Sequence, residues 1–365
     1  MIYLAIRARG TGFLGLKVKI WGHLYTQVIR ADKCSFCGAC IGVCPVAAIG
    51  IKDEKPSIVG RCIGCGYCYA QCPHIPFDEH VVEEKLFKDT SSKFGLLGYV
   101  RAVYAAKATD EEIVRVAQDG GVVTALLNYG LDSGLIECAV TSGLNEDDPL
   151  KPKPMLAFNK QDLLNSAGSK YAASPNLIAL TSAVNDFQKE SIGFVGVGCH
   201  ITALRKMQYH EYGALKYGLR VKFAIGLFCS QTFYHSSLKN FLLENGINLS
   251  RITKTEIVSG RFKVKSGEET LLDVPLKKIK NFGRKSCSFC DDFTARLADI
   301  SVGNMDSPEG WCTVIVRTAI GEMLFKRALE KGYITANKLD PKSLKLTLKM
   351  SKIKKRMVTE VEAQS

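Results

Sequence analysis

The sequence predicts a small α+β module followed by a larger α/β domain, on three observations. Residues 31–80 hold eight cysteines in two tandem runs, Cys34, Cys37, Cys40, Cys44-Pro45 and Cys62, Cys65, Cys68, Cys72-Pro73. Further on, apolar runs at 136–141, 192–197 and 221–228 alternate with helical stretches at 176–187, 201–209 and 236–244, a pattern of buried strands between helices. The chain's 365 residues leave room for a cysteine-rich module plus one domain with its own core.

Each cysteine run reads C-x2-C-x2-C-x3-C-P, the spacing that sets three thiolates around one corner of an iron–sulfur cube. In bacterial-type two-cluster ferredoxins the fourth cysteine of each run crosses to the other cluster. One 4Fe–4S cluster is therefore expected on Cys34, Cys37, Cys40 and Cys72, and the other on Cys62, Cys65, Cys68 and Cys44. The runs are an internal repeat, offset by 28 residues from Cys34 to Cys62 (62 − 34). Gly38, Gly42, Gly64 and Gly66 are expected to let backbone pass close to the inorganic core. A disulfide framework suits a small secreted domain, and no secretory pattern opens this chain. Structural zinc takes paired CxxC units, not three close cysteines and a distant fourth. The module is expected to move single electrons.

The remaining segments follow in order. Residues 1–30 read as a basic N-terminal extension and 81–108 as a charged, Ser/Gly-containing linker. The α/β domain runs over 109–340. Within it, 251–274 reads as antiparallel strands with Gly260 and Gly267 as turns. Strands at 299–302 and 313–318 and a helix at 322–330 close the domain. Residues 341–365 form a basic tail in which Leu344, Leu346, Leu348 and Met350 alternate with polar residues before Lys352, Lys354, Lys355 and Arg356. That tail reads as an edge strand, a partner-binding segment or disorder.

The net charge of +13 is concentrated at the ends: 1–30 and 341–365 each carry +5. Such charge marks either a solvated surface or a face that docks on an acidic partner or an anionic membrane. No nucleic-acid-binding motif accompanies it. No apolar run approaches the ~18 residues of a membrane span. Many thiols without an export pattern point to a reducing, cytoplasmic setting.

Six cysteines remain. Cys199 and Cys229 each follow a predicted strand, while Cys287 and Cys290 form a CxxC in a loop. Strand ends of an α/β sheet are where cofactors bind, so these four are either ligands of a third cluster or ordinary buried thiols. Cys138 and Cys312 lie in apolar runs and read as core.

From about 97 to 340 the chain resembles the coenzyme F420 hydrogenase beta-subunit family, which includes formate dehydrogenase beta subunits and 7-hydroxymethyl chlorophyll a reductase. The resemblance is carried by Gln118-Asp119-Gly120-Gly121-Val122-Val123-Thr124-Ala125-Leu126-Leu127, Gly168-Ser169-Lys170-Tyr171, Gly198-Cys199-His200 and Cys287-x-x-Cys290-x-Asp292. It continues in Ala298-Asp299-Ile300-Ser301-Val302-Gly303 and Gly310-Trp311-x-Thr313-Val314-Ile315-Val316-Arg317-Thr318. Members commonly carry Thr-Pro-Cys-Gln where this chain has Val197-Gly198-Cys199-His200, so the cradle of that cysteine differs.

The resemblance implies a flavin- and F420-binding α/β domain with FAD, coenzyme F420 as substrate, and a third 4Fe–4S cluster on Cys199, Cys229, Cys287 and Cys290. With a ferredoxin module in front, the chain resembles the input subunits that oxidise reduced F420 for complex I-like membrane machines of methanogens. A deazaflavin gives up two electrons as a hydride and a cluster takes one, so a flavin between them is expected to divide the pair. No side chain is required as acid or base. For cofactor binding the candidates are Gln118, Gly120, Gly121 and Thr124, with glycines for close backbone approach and a following helix for phosphate. Gly168, Ser169, Lys170 and Tyr171 offer a cation, a hydroxyl and a stacking ring, and Arg317 is a weaker anion site. His200 is expected beside the cluster, not on it.

Expected partners are the other subunits of a membrane-bound dehydrogenase, reached peripherally from the inner face of the cell membrane, or soluble ferredoxin. The alternatives are a beta subunit of a soluble hydrogenase or formate dehydrogenase complex, and a non-catalytic electron relay.

Overall fold

The computed structural model describes residues 18–89 and 92–363. Arg7, Arg9 and Lys17 of the expected N-terminal extension lie outside the described residues.

The 28-residue repeat is also a repeat of hydrogen bonds. Phe36 N–H donates to Cys34 Sγ and Gly64 N–H to Cys62 Sγ, each at 3.4 Å. Gly38 and Gly66, at φ +87° and +81°, then open the short helices Ala39–Gly42 and Tyr67–Ala70. The expectation that the glycines make room for the inorganic core needs correcting at two positions. A Cβ on Gly38 would sit 2.5 Å from Pro175 O, and one on Gly42 would sit 2.4 Å from Thr181 Oγ1. These two glycines let the module press against the Leu177–Asn185 helix of the larger domain.

A hairpin, Ile49–Lys52 against Lys55–Ile58, completes the module. Its turn residues Asp53 and Glu54 both have positive φ, +50° and +54°, which suits the twist of a two-residue hairpin but strains non-glycine backbone. The strain is held by Glu54, whose carboxylate accepts from His235 N and Ser236 N at 3.0 Å each. It sits at the N-terminus of the His235–Glu244 helix, where the macrodipole favours an anion.

Residues 21–30 are not extension. The Trp21–Leu24 turn and the wider Tyr25–Ile29 turn bury Leu24, Val28 and Ile29 against Cys68, Cys72 and Ile75.

The larger domain is built on an eight-stranded mixed sheet. Its parallel centre runs Ile300–Gly303, Val221–Leu227, Ile192–Val197, Cys138–Asn145. Antiparallel pairs flank it: Asp148–Ala157 on one side and Cys312–Val316, Ala102–Ala108, Ile334–Leu339 on the other. A separate antiparallel sheet of Lys254–Val258, Arg261–Ser266 and Glu269–Pro275 turns at Gly260 and Gly267.

Two sequence expectations fail here, and one strand appears where none was expected. The supposed linker 81–108 supplies the buried strand Ala102–Ala108 and much of the helix Glu79–Phe87. Its alanine-rich sequence hides a strand that packs through small residues and through Tyr104, stacked on Phe325 at 4.6 Å. The strand Asp148–Ala157 contains three prolines, which a strand tolerates here because it lies on the sheet's edge. The tail is neither strand nor disorder but the helix Lys345–Glu362. Its buried positions Leu344, Thr347, Ser351 and Lys354 recur at helical spacing, yet three of the four are polar, so hydrophobic periodicity misses them.

One apolar core spans both parts: Cys37, Ala39 and Val43 pack with Leu177, Leu180, Phe194 and Leu204. Each such leucine, fully buried, contributes about 2 kcal/mol. The ferredoxin module is therefore fixed on the sheet's helical face.

Candidate functional site

Cys34, Cys37, Cys40 and Cys72 line one cavity, and Cys44, Cys62, Cys65 and Cys68 line a second. Each run thus sends its fourth cysteine to the other ring, the grouping that the spacing predicts. None of the fourteen cysteines is in a disulfide. Among the described residues no three Cys, His, Asp or Glu side chains converge on a single-ion point. Rings of thiols around a cavity suit a cube, whose four irons each take one thiolate, better than zinc held at about 2.3 Å by all four sulfurs. Burial pushes the Cys37 thiol up to about 11 and the Cys68 thiol up to about 12, and raises Cys40 and Cys72 as well. Thiolates in such surroundings need a bound cation, which cluster iron provides.

A third group forms at the carboxyl edge of the parallel sheet. Val197 pairs in register with Leu227. Two residues further along each chain stand Cys199, in the first turn of the Gly198–Tyr209 helix, and Cys229. Cys287 lies in the turn Lys285–Phe289 and Cys290 just beyond it. Burial raises the Cys199 thiol, with Cys290, Cys37 and Cys229 in electrostatic reach. Cys229 is likewise raised by burial, to about 12, with Cys287 and Cys290 beside it. Thr232 N–H donates to Cys287 Sγ at 3.4 Å, and Cys290 Sγ donates to Asp292 O at 3.7 Å.

The third group touches the first. Cys37 is among the neighbours of the Cys199 thiol, and the Ser35 hydroxyl lies against both sulfurs. That hydroxyl is buried and forms no well-shaped hydrogen bond.

The two glycine-bearing motifs also meet. Val122–Asp132 is a helix whose N-cap is Gly121, at φ +70°. Gly120 approaches backbone, since a Cβ there would lie 2.9 Å from Ala106 O and 3.0 Å from Cys312 N. Gly168 lies close to Val116, just ahead of Gln118, with its Cβ position 3.6 Å from Val116 O. Gln118 Oε1 is buried without a protein partner. Thr124 is half-buried and Ser169 exposed. Asn304, following the Ile300–Gly303 strand, donates to Asp119 at 3.4 Å, which places this corner on the same sheet edge as Cys229. Phe233 N–H donates to Tyr171 O at 2.8 Å, one residue from the Thr232 that holds Cys287.

Several candidates are engaged otherwise than the sequence suggests. Lys170 Nζ donates to the carbonyls of Ser166, Ala167 (2.7 Å) and Gly168 (3.0 Å), capping the Lys160–Ser166 helix in place of a phosphate. Burial lowers its pKa to about 7. The Tyr171 ring packs edge-on against Phe262 and its hydroxyl accepts from Ile257 N at 2.8 Å, so it is a packing residue and not a free stacking face. Arg317 is fully buried and donates to Ser301 Oγ at 2.7 Å and to the Leu97 and Tyr99 carbonyls at 2.6 and 2.9 Å. That network, not an anion, accounts for its position. His200 is buried beside Cys199, its Nδ1 accepting from Val197 N at 3.4 Å, and burial lowers its pKa to about 4. Cys138 and Cys312 are buried in the apolar core.

Sequence reasoning misses three buried cations. Lys206 donates to the Cys72 and Ile75 carbonyls at 2.8 Å each. Arg284 donates to Cys34 O at 3.3 Å and Glu54 O at 3.1 Å. Lys354, from the C-terminal helix, donates to Cys229 O at 2.7 Å. Burial disfavours its charge, but Cys290, Cys229 and Cys287 outweigh burial and hold its pKa above the usual lysine value. Nothing in the local sequence marks these cations, because each lies far along the chain from the cysteine that it serves.

Fold and thiol rings together define an iron–sulfur protein with a dicluster module docked on an α/β domain. Residues 26–73 match a 4Fe-4S dicluster domain; 103–181 match the N-terminal region and 189–342 the C-terminal region of the coenzyme F420 hydrogenase/dehydrogenase beta subunit. The chain is 38% identical over 238 residues to the beta subunit of coenzyme F420 hydrogenase from Methanothermobacter thermautotrophicus, covering 65% of this chain and 84% of that one. It is 30% identical over 346 residues to the F subunit of F(420)H(2) dehydrogenase from Methanosarcina mazei, covering 90% and 91%. A chain of the F420-reducing [NiFe] hydrogenase complex of Methanosarcina barkeri superposes with a TM-score of 0.69 at 31% identity, over 75% of this chain and 95% of that one. The chain belongs to the coenzyme F420 hydrogenase/dehydrogenase beta-subunit family and carries a 4Fe–4S dicluster domain ahead of it.

Proposed function

We propose that this chain oxidises reduced coenzyme F420 and delivers single electrons to a membrane-bound, complex I-like respiratory complex. The observation that carries this reading is the position of the Cys199/Cys229/Cys287/Cys290 group. It lies between the Gln118–Gly168 corner, through Tyr171, Phe233 and Thr232, and the first ferredoxin ring, through Ser35 and Cys37. The near-complete mutual coverage with the M. mazei F(420)H(2) dehydrogenase chain supports oxidation of reduced F420 over a role as hydrogenase or formate dehydrogenase subunit.

The residues fit the implied groups. Each of the three cysteine quartets would hold one 4Fe–4S cluster. The Gln118 Oε1 is buried without a protein partner and would accept from a donor such as FAD would bring, while the N–H groups of Gly120, Gly121 and Val122 are turned to the Cys312 sulfur. Bound there, the flavin supplies the conversion between hydride pairs and single electrons, and the clusters carry electrons singly. The protein's own part is positional. Gln118 would orient the flavin, and Thr232 fixes Cys287 by its N–H. Ser35 packs the first and third quartets together, and Arg284 locks the module against the domain.

Differences in burial support an order of quartets. Cys37 and Cys72 are buried at the joint, whereas Cys62 is exposed, flanked by Val59 and Ile63 at 67% and 59% exposure. The second quartet is therefore the exit, and a partner docks there. Among the described residues no helix is long and apolar enough to cross a membrane. The C-terminal helix turns Lys345, Lys349, Lys352, Lys355 and Arg356 outward, a basic face suited to an acidic partner surface.

The test is addition of reduced F420 to anaerobically reconstituted protein with a dye acceptor. Reduced F420 should bleach the bound flavin and reduce the dye, and NADH should not. Protein that binds no flavin yet takes electrons quickly from a reduced partner would reassign the chain as a relay.

A further inference from the structure

We propose that Lys354 is the fixed counter-charge of the third cluster and raises its reduction potential. The inference rests on the third cluster assigned above to Cys199, Cys229, Cys287 and Cys290.

The C-terminal helix Lys345–Glu362 faces inward through Thr347, Ser351 and Lys354. Lysine is an expensive choice there: Lys354 is only 4% exposed, and a buried ammonium costs several kcal/mol unless an anion answers it. Among the described residues no carboxylate forms an ion pair with it. Asp292 lies in electrostatic reach of it but makes no ion pair with it, accepting from Arg296 N through both oxygens at 3.1 and 3.0 Å. What surrounds the ammonium is Cys229, whose carbonyl accepts from Nζ at 2.7 Å, with the Cys287 and Cys290 thiols in electrostatic reach. Three of the four proposed ligands thus share one buried cation.

A cube held by four thiolates carries net negative charge and gains one more unit on reduction. A positive charge fixed beside it in a weakly polarisable interior stabilises the reduced form more than the oxidised one. The sign is unambiguous: Lys354 makes this cluster a better electron acceptor. Net charge and hydrogen bonding at the sulfurs are the protein's established levers on cluster potential. Here the lever comes from a helix lying beyond the 189–342 span that matches the family's C-terminal region. A variation confined to that helix would retune the electron path without touching a cysteine.

The experiment is a redox titration of the anaerobically reconstituted full chain, followed by electron paramagnetic resonance. The third cluster's signal is assigned by its loss in C290S. In K354Q that signal should persist with a more negative midpoint, so that at fixed potential the reduced-to-oxidised ratio falls about tenfold, 59 mV for one electron. K354R should restore most of the shift. K355Q, which removes an exposed charge one residue away, should leave the midpoint unchanged. An unshifted midpoint in K354Q overturns the proposal. If K354Q loses the third signal, retention in K354R supports the need for charge, and loss in both variants shows that the lysine acts only by packing. A wild-type protein with only two cluster signals removes the third cluster itself and the inference with it. Three signals with an insensitive midpoint remove the inference alone.

Discussion

Arg284 donates to the backbone oxygen of Cys34 at 3.3 Å, joining the loop that precedes Cys287 to the first ferredoxin run. The same guanidinium reaches Glu54 O at 3.1 Å and lies 4.5 Å from the centre of the Tyr234 ring. Its side chain is fully buried, so one residue pins the first quartet, the hairpin tip and the third quartet together. Replacing Arg284 with methionine keeps the bulk and removes every donor. Removing one member of a buried charged network costs about 3 kcal/mol, which should lower the thermal midpoint measurably. Reduction of dye by F420 at the α/β domain should survive, while reduction of the two ferredoxin clusters slows. A midpoint unchanged from wild type would mean that the joint is held by the shared apolar core alone.

Glu54 makes the same joint sensitive to acid. Burial alone would raise its pKa, but hydrogen bonds from Ser236 and His235, aided by Arg284, hold it below the ordinary value of 4.5. A carboxyl whose folded pKa is depressed contributes stability that is full above 4.5 and is lost as pH falls through the folded value. The wild-type unfolding midpoint should therefore drop more steeply as pH falls below 4.5 than that of E54Q, which starts lower and carries no such titration. Parallel curves for the two proteins would remove Glu54 as an acid-sensitive tie.

With the flavin placed as proposed, Gln118 is the residue at which cofactor binding and stability should come apart. Its Oε1 is buried and has no protein partner, so truncation to alanine breaks no hydrogen bond at that oxygen. An amide hydrogen bond has a net value of about 1 kcal/mol, so Q118A should retain flavin roughly fivefold to tenfold less tightly at nearly unchanged thermal stability. Flavin absorbance after gel filtration, set beside the melting curve, reads both quantities. Destabilisation with full flavin retention would place the flavin elsewhere.

What the sequence reveals depends on whether the signal is local. The two C-x2-C-x2-C-x3-C-P runs reveal their quartets because ligand spacing is a short-range constraint, and the parallel strands 192–197 and 221–228 reveal themselves by continuous apolar runs. Cys199 and Cys229 become neighbours only through the register Val197 to Leu227, which no window of sequence contains. Lys170 and Arg317 look like anion sites because the types suit anions; burial and the carbonyls around them decide otherwise. Ala102–Ala108 is missed because its strand is made of small residues, whose place in the sheet is dictated by its neighbours. Arg284, Lys206 and Lys354 are invisible for a related reason: the oxygens they serve lie 250, 134 and 125 residues away.

The C-terminal helix offers the widest test, because the sequence pattern and the structure expect different outcomes. A solvated basic tail could be removed with loss of docking only. In the structure Leu344, Thr347, Ser351 and Lys354 are buried, and Asp306 accepts from the N–H groups of Leu346 and Thr347 at 2.9 and 2.8 Å, fastening the helix's first turn. Deleting residues 345–365 should therefore open the Cys229/Cys287/Cys290 wall as well as strip the basic face. Anaerobically prepared wild-type protein should contain about twelve irons per chain, three cubes of four, and the truncated protein about eight. The double variant C287S/C290S should match the truncation in iron content while keeping its C-terminal helix. Both should lose electron delivery from F420 to the ferredoxin clusters. A truncated chain that still holds about twelve irons and still reduces dye, but fails to couple to its membrane partner, would return the helix to a docking role and leave the third quartet closed without it.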